Sequence, residues 1–295
     1  MSILKKVKYY IKKKIVFRNI KRGKKICILN IEDSINELLN NSKGLVRFGD
    51  GELSIMEGGH INFQTPNREL GKKLEEVILN PINNCYIGVP DEINLIDFSR
   101  QTERSQKFWV QHVYKERDNW MRYLKNDQIY LTTNVTRPYM RFANKEKSKK
   151  YFDEIRKLWD EKDIVMIEGA GTRLGIGNDL FSNCKSIRRI ICPERDAFNV
   201  YEDILKEAMK LEKHTPVFLA LGPTATILGY ELCKAGYLAY DIGHIDIEYE
   251  WMQMGATSKV AINNKYTNEA ENGSEISECL DTKYNEQIIA HIKPV

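Results

Sequence analysis

Short β-branched runs alternate with helically periodic stretches along most of the chain. This pattern predicts an α/β protein: a Rossmann-like, mainly parallel sheet with helices on both faces, preceded by a basic amphipathic N-terminal helix. Three observations carry the expectation. The β, α, β, α order requires crossover connections, which parallel strands need and hairpins do not. The 295 residues, 42% of them apolar, can bury a full core, which excludes disorder, collagen and a coiled coil. The formal charge of +4 is split, because residues 1–25 hold 11 Lys and Arg and no acid, leaving 34 bases against 41 acids in residues 26–295. An acidic body argues against nucleic acid as partner, since that needs basic charge spread over a folded face.

The chain accordingly divides into a leader, residues 1–25, and one domain, residues 26–295. In the leader, Ile3, Leu4, Val7, Ile11, Ile15 and Arg18 fall at three- and four-residue spacing, with Lys5, Lys6, Lys8, Lys12, Lys13 and Lys14 on the other faces. Such a helix can lie in the headgroup layer of an anionic membrane, each Lys near the surface contributing about 1 kcal/mol, or it can dock its stripe on the body. Charge of a single sign favours the membrane. Residues 3–20 contain no run of seven apolar residues, so no signal peptide is expected. The longest charge-free stretch, residues 215–230, is broken by Pro216, Gly222, Pro223 and Gly229 and cannot span a bilayer. Six scattered Cys without a CxxC pair read as reduced thiols. The expected location is the cytoplasm, with peripheral contact at the inner face of the plasma membrane through residues 1–25.

Strands are expected at residues 44–48, 85–89, 128–133, 163–168, 187–192, 217–221 and 237–242, and helices at 67–79, 102–114, 147–159, 197–211 and 224–235. From residue 263 the chain is polar, carries an Asn272-Gly273 turn, and reads as a loop with a short terminal segment. Ligands of such folds bind beyond the carboxyl ends of the strands, so the loops that follow the strands are the candidate sites.

After the first strand, Gly49-Asp50-Gly51-Glu52 places two carboxylates two residues apart, on one side of an extended chain. Two hard oxygen donors, with room for phosphate oxygens and water, suit Mg²⁺ or Mn²⁺, although an acidic turn without metal has the same sequence. After the fourth strand, Gly169, Gly171 and Gly175 at a strand-to-helix turn let backbone N–H groups face a diphosphate, with Arg173 as a bidentate clamp. The same glycines make a loose GxGxxxG, with Glu194 where a ribose-binding acid stands in a dehydrogenase, so a NAD(P)-dependent oxidoreductase is the rival reading. After the sixth strand, Gly222-Pro223-Thr224 opens a helix whose free N–H groups can meet an anion. After the seventh, Asp241, His244, Asp246, Glu248 and Glu250 fall within ten residues and can supply a general base.

Taken together, Arg47-Phe-Gly-Asp50-Gly-Glu52, Thr136-Arg137-Pro138-Tyr139, Glu168-Gly169, Arg173-Leu-Gly-Ile-Gly-Asn178-Asp179, Cys192-Pro193, Leu221-Gly-Pro-Thr-Ala-Thr226 and Asp241-Ile-Gly-His244-Ile-Asp246-Ile-Glu248 resemble the bacterial GT-D-type glycosyltransferases over residues 44–285. The resemblance implies a Rossmann-like fold of its own type, a D-x-E metal site at Asp50 and Glu52 for Mn²⁺ or Mg²⁺, and a UDP-sugar donor. It places the donor against Arg47, Arg137, Glu168, Gly169, Arg173, Gly175, Asn178, Gly222, Pro223 and Thr224, and leaves the leader outside the family core. The expected reaction moves a hexose, glucose or galactose, to a hydroxyl of a glycan, glycoprotein or lipid-linked acceptor in envelope polysaccharide or glycoprotein synthesis. Asp246, Glu248 or His244 is the base if the reaction inverts; a retaining route does not require one there. A membrane-surface scaffold that binds nucleotide without turnover is the non-enzymatic alternative.

Overall fold

The computed structural model describes residues 3–94, 98–274 and 276–294. Its chain order is α1 (Ile3–Arg22), β1 (Cys27–Ile28), α2 (Ile31–Asn40), β2 (Gly44–Arg47), α3 (Asp50–Met56), α4 (Arg68–Leu79), β3 (Cys85–Val89), α5 (Glu103–Tyr123) and β4 (Ile129–Thr132). There follow α6 (Ser148–Ile155), β5 (Asp163–Gly169), β6 (Ser186–Cys192), α7 (Tyr201–Ala208), β7 (Val217–Ala220), α8 (Pro223–Lys234), β8 (Ala239–Asp241), α9 (Ile245–Gln253), α10 (Thr282–Glu286) and β9 (Ile288–His291). All strand pairs are parallel, in the order β1-β4-β3-β2-β8-β7-β5-β6-β9.

The seven expected strands are present, and the sheet gains one at each edge, β1 and β9. Burial explains why the central strands are continuous apolar runs. Val46, Val165, Ile167, Val217 and Leu219 enter one core with α1, α4, α5 and α8, while their neighbours Leu45, Ile164, Met166 and Phe218 enter a second with α2, α6 and α9. Alternate side chains point to opposite faces, so covering both faces demands apolar residues at every position. Helix starts follow ordinary capping chemistry. Asn30 accepts from Asp33 N–H, Asn67 from Glu69 and Leu70 N–H, and Pro223 stands in the first turn of α8 as expected.

Two expectations are corrected. The segment after β5 is not the start of a helix: residues 170–185 form turns before β6, so no helix N-terminus stands behind Gly169 and Gly171. The dinucleotide fingerprint needs that helix to receive the diphosphate, which removes the structural basis of the oxidoreductase reading. The leader is not separate from the body either. Val16 and Ile20 of α1 lie in the same core as α5, Phe17 stacks on Phe98 at 5.9 Å, and Arg117 donates to Lys24 O at 2.8 Å. The docked face is Tyr9, Lys13, Val16, Phe17 and Ile20, opposite the stripe named from the sequence, whose Val7 and Ile11 remain exposed.

Candidate active site

β2 and β8 are neighbours, yet the chain leaves β2 toward β3 and reaches β8 from β7, so the direction of winding reverses between them. A crevice opens at such a point beyond the carboxyl ends of the strands. Here it is a cleft of about 880 Å³, and its floor is Arg47, Asp241, Gly243 and His244. Arg47 closes the seam between the two strands: Nη2 donates to Asp241 Oδ1 at 2.7 Å, Nε to Asp241 O at 2.8 Å and Nη1 to Thr136 Oγ1 at 2.9 Å. A Cβ on Gly243, whose φ is +45°, would stand 2.0 Å from Arg47 Nη2, so the close approach of Arg47 requires glycine there.

Asp50 and Glu52 both line this cleft, but not as an extended chain would present them. They are the first and third residues of α3, where positions two apart face about 200° from one another. Glu52 is brought round because Oε2 accepts from Gly49 N–H at 2.6 Å. Burial pushes the Glu52 carboxyl up to about 7, with Asp241 adding to the rise and Arg47 opposing it. Asp50 is exposed and, among the described residues, has no hydrogen-bond or ion-pair partner. Among the described residues no group of three or more His, Cys, Asp and Glu converges as a metal cage. The donor set still fits a hard divalent cation, because such ions keep several waters or phosphate oxygens and take only one or two protein carboxylates.

The three base candidates differ in what their atoms already do. Asp246 Oδ1 accepts from Gly175 N–H and Asn178 Nδ2, each at 2.8 Å, and Oδ2 pairs with Lys265 at 2.5 Å. Glu248 Oε2 accepts from Tyr139 and Met140 N–H, at 3.1 and 2.8 Å. His244 precedes the first turn of α9, lines the cleft, and its ring has no hydrogen-bond partner among the described residues. Burial, then the charges of Arg137, Arg47 and Lys259, hold its pKa well below the ordinary histidine value. Its imidazole is therefore neutral at neutral pH, the form able to accept a proton.

The expected donor-binding residues divide. Arg47, Arg137, Gly169 and Gly222 line the cleft; Glu168, Arg173, Gly175, Asn178, Pro223 and Thr224 do not. Glu168 is fully buried, pairs with Arg189 and accepts from Leu174 N–H at 2.8 Å, so it ties β5 to the following turns. Arg173 is not a phosphate clamp: Nη1 donates to Asn264 O at 2.8 Å and Nη2 to Ser277 O, which anchors the segment after α9. Gly175 and Asn178 engage Asp246, and Thr224 is buried in α8.

Several lining residues have no counterpart among the sequence candidates. Arg104, Arg141 and Lys259 join Arg137 in a cluster of cations beside Phe108, Trp109 and Met140. Lys259 lies between the seventh expected strand's acidic run and the polar stretch from residue 263, where no element was expected, and burial together with Arg137 pushes its pKa down to about 8. Glu269 pairs with both Arg137, at 2.6 Å, and Lys259, while Arg141 pairs with Glu92 at 2.7 Å. Neither Arg141 nor Lys259 stood in a spacing or motif that pointed to the cleft.

The all-parallel sheet with helices on both faces and the cleft at its switch point define a Rossmann-like α/β protein. The family model for the glycosyltransferase GT-D fold matches residues 45–270, and the chain belongs to that family. It is 37% identical over 268 residues to glycosyltransferase GlyD of Streptococcus pneumoniae serotype 4, covering 90% of this chain and 33% of that protein. It is 35% identical over 269 residues to a probable glycosyl transferase Gly of Streptococcus gordonii, covering 91% of this chain and 39% of that one. The chain thus spans between a third and two fifths of the curated relatives it matches. A solved structure from Streptococcus sanguinis, described as a new glycosyltransferase, aligns with a TM-score of 0.86 at 36% identity over 91% of this chain and 100% of that one. Another, a domain of unknown function 1792 described as having a distinct glycosyltransferase fold, aligns with a TM-score of 0.87 at 34% identity over 97% of this chain and all of its own. The unmatched 3% is too short to contain the leader, so α1 lies largely within the fold this neighbour shares rather than outside it.

Proposed function

We propose that the chain transfers a hexose, glucose or galactose, from a UDP-sugar to a hydroxyl of a glycan, glycoprotein or lipid-linked acceptor, with Mn²⁺ or Mg²⁺ held by Asp50 and Glu52. The observation that supports this reading is one cleft bearing an unpartnered carboxylate at the start of α3 and an unpartnered neutral imidazole at the start of α9. When bound, the cation neutralises charge on the departing diphosphate. Arg137, Arg47 and Lys259 add positive potential at His244. In an inverting reaction His244 accepts the acceptor's hydroxyl proton as the oxygen attacks the anomeric carbon, with the free oxygen of Glu248 the second candidate. In this reading the protein works in the cytoplasm, with peripheral membrane contact through residues 1–25. Among the described residues no helix is long and apolar enough to cross a membrane.

The test is hydrolysis of UDP-glucose and UDP-galactose by the full chain with Mn²⁺, followed by Asp50→Ala and Glu52→Ala. Each substitution should reduce turnover at least about a hundredfold while circular dichroism stays native; Glu52→Ala also loses its bond to Gly49 N–H and should melt a few degrees lower. Full activity in either variant overturns the metal assignment, and no turnover of any UDP-sugar by the wild-type chain favours the nucleotide-binding scaffold.

A further inference from the structure

The two long faces of α1 have different fates. Residues 9, 13, 16, 17 and 20 fall within about 100° of arc and dock on the body, whereas 7, 10, 11, 14 and 18 occupy a second arc of about 100° centred about 120° further round the helix. On that outer arc Val7, Tyr10 and Ile11 are 49%, 62% and 53% exposed, and Lys14 and Arg18 are exposed beside them. Lys8, Lys21 and Arg22 lie on or beside the arc and are exposed as well, with no acidic residue anywhere in residues 1–25. A helix that only served the core would need no apolar residue on this side, since a solvated face is polar. Three apolar side chains ringed by cations match one surface in particular, an anionic bilayer, where the apolar groups enter the acyl boundary and the ammonium groups meet phosphates.

The placement of this face relative to the cleft adds the second part. α1 runs beside α5 in the same direction: Lys6 and Tyr9 lie close to Glu103, Lys12 Nζ bonds Gln111, and Arg117 bonds Lys24 O. The opening residues of α5, Thr102, Arg104, Ser105 and Phe108, line the cleft. The cleft edge is thus one packed helix, on the order of 10 Å, from the exposed stripe. We propose that the Val7, Tyr10 and Ile11 face of α1 docks on an anionic membrane and holds the α5 edge of the cleft toward the lipid surface, so that the acceptor is a glycan carried on a lipid. The membrane contact stands on the helix alone; the acceptor class rests on the transferase reading above.

The experiment uses the full chain and two vesicle compositions, phosphatidylcholine alone and phosphatidylcholine with phosphatidylglycerol. Wild type should co-sediment with the anionic vesicles and stay in solution with the neutral ones. The double variant Val7→Ser, Ile11→Ser should lose binding roughly tenfold or more, because two of the three inserted groups are gone. Its melting temperature and its hydrolysis of soluble UDP-sugar should match wild type, since neither side chain touches the core or the cleft. Equal retention of variant and wild type overturns the docking face, as does equal binding to neutral vesicles. Self-association of wild type that the double variant abolishes, seen by sedimentation equilibrium without lipid, also overturns it, by assigning the stripe to a second copy. Failure to hydrolyse any UDP-sugar would sink the transferase reading while leaving the sedimentation result intact.

Discussion

His244 is the side chain on which the chemistry can be read most directly. A ring surrounded by Arg137, Arg47 and Lys259 and withdrawn from water binds a proton poorly, and the N-terminal end of α9 opposes an imidazolium further. If it is the base, the acid limb of kcat against pH should fall below the ordinary histidine value near 6.5, with the rate still on its plateau there. His244→Ala should lower kcat about 10²- to 10⁴-fold with little change in the KM for donor. A limb at or above 6.5, or an unchanged kcat, would assign the proton to Glu248 or to a retaining route. The same depression has a stability consequence. Unfolded chains bind the proton at higher pH than folded ones, so this residue's contribution to stability is present above about 6.5 and lost as pH falls toward the folded value. The sequence made His244 visible through its acidic neighbours, but could not separate it from Asp246, because hydrogen-bond partners at residues 175, 178 and 265 are far away along the chain. The D-x-E pair was legible as a residue type and misread as geometry: Glu52 reaches the cleft by folding back on Gly49, not by strand alternation.

At the scale of elements, the inner strands were legible because both faces of the sheet are covered, so strands such as β3, β5 and β7 carry mostly apolar runs with no polar alternation to obscure them. The edge strands β1 and β9 were not, since two and four residues with exposed positions carry too little pattern. The segment after β5 was the costliest misreading. Its glycines suggested a phosphate-binding turn, yet its polar groups hold the loops together. Glu168, fully buried, joins Arg189 on β6 and Leu174 N–H, and Arg189 also donates to Leu174 O at 2.9 Å. Burial raises the Glu168 pKa even beside that guanidinium. Removing one member strands a buried charge, which costs about 3–5 kcal/mol. Arg189→Met should therefore lower chemical stability by about that amount with UDP-sugar affinity little changed, as measured by urea unfolding and donor titration. A loss of donor affinity at unchanged stability would instead return Glu168 to the binding site.

For the whole molecule, the question is whether α1 is an appendage or part of the fold. The sequence divided the chain at residue 25 because charge changes sign there, and charge reports on solvent-facing positions rather than on what is packed beneath. Val16 and Ile20 are 1% and 4% exposed and share one core with Trp109, Val113 and Trp120 of α5. Deleting residues 1–25 would uncover that apolar surface, so a truncated chain is a poor instrument for testing membrane contact, and substitution at the outer arc is the cleaner one. The inner arc makes the complementary prediction. Ile20→Ala should destabilise the protein by about 2–5 kcal/mol, the range for a buried Ile reduced to Ala. The loss should appear as a shift of one transition, coincident by far-ultraviolet circular dichroism and tryptophan fluorescence, because helix and body unfold together. Val7→Ser, on the exposed arc of the same helix, should leave that transition in place. If Ile20→Ala instead melts helix signal in a separate early step while the body's transition stays fixed, α1 is a hinged addition. In that case the cleft edge on α5 would be free to leave the membrane with the body, and the lipid-borne acceptor would lose its structural reason.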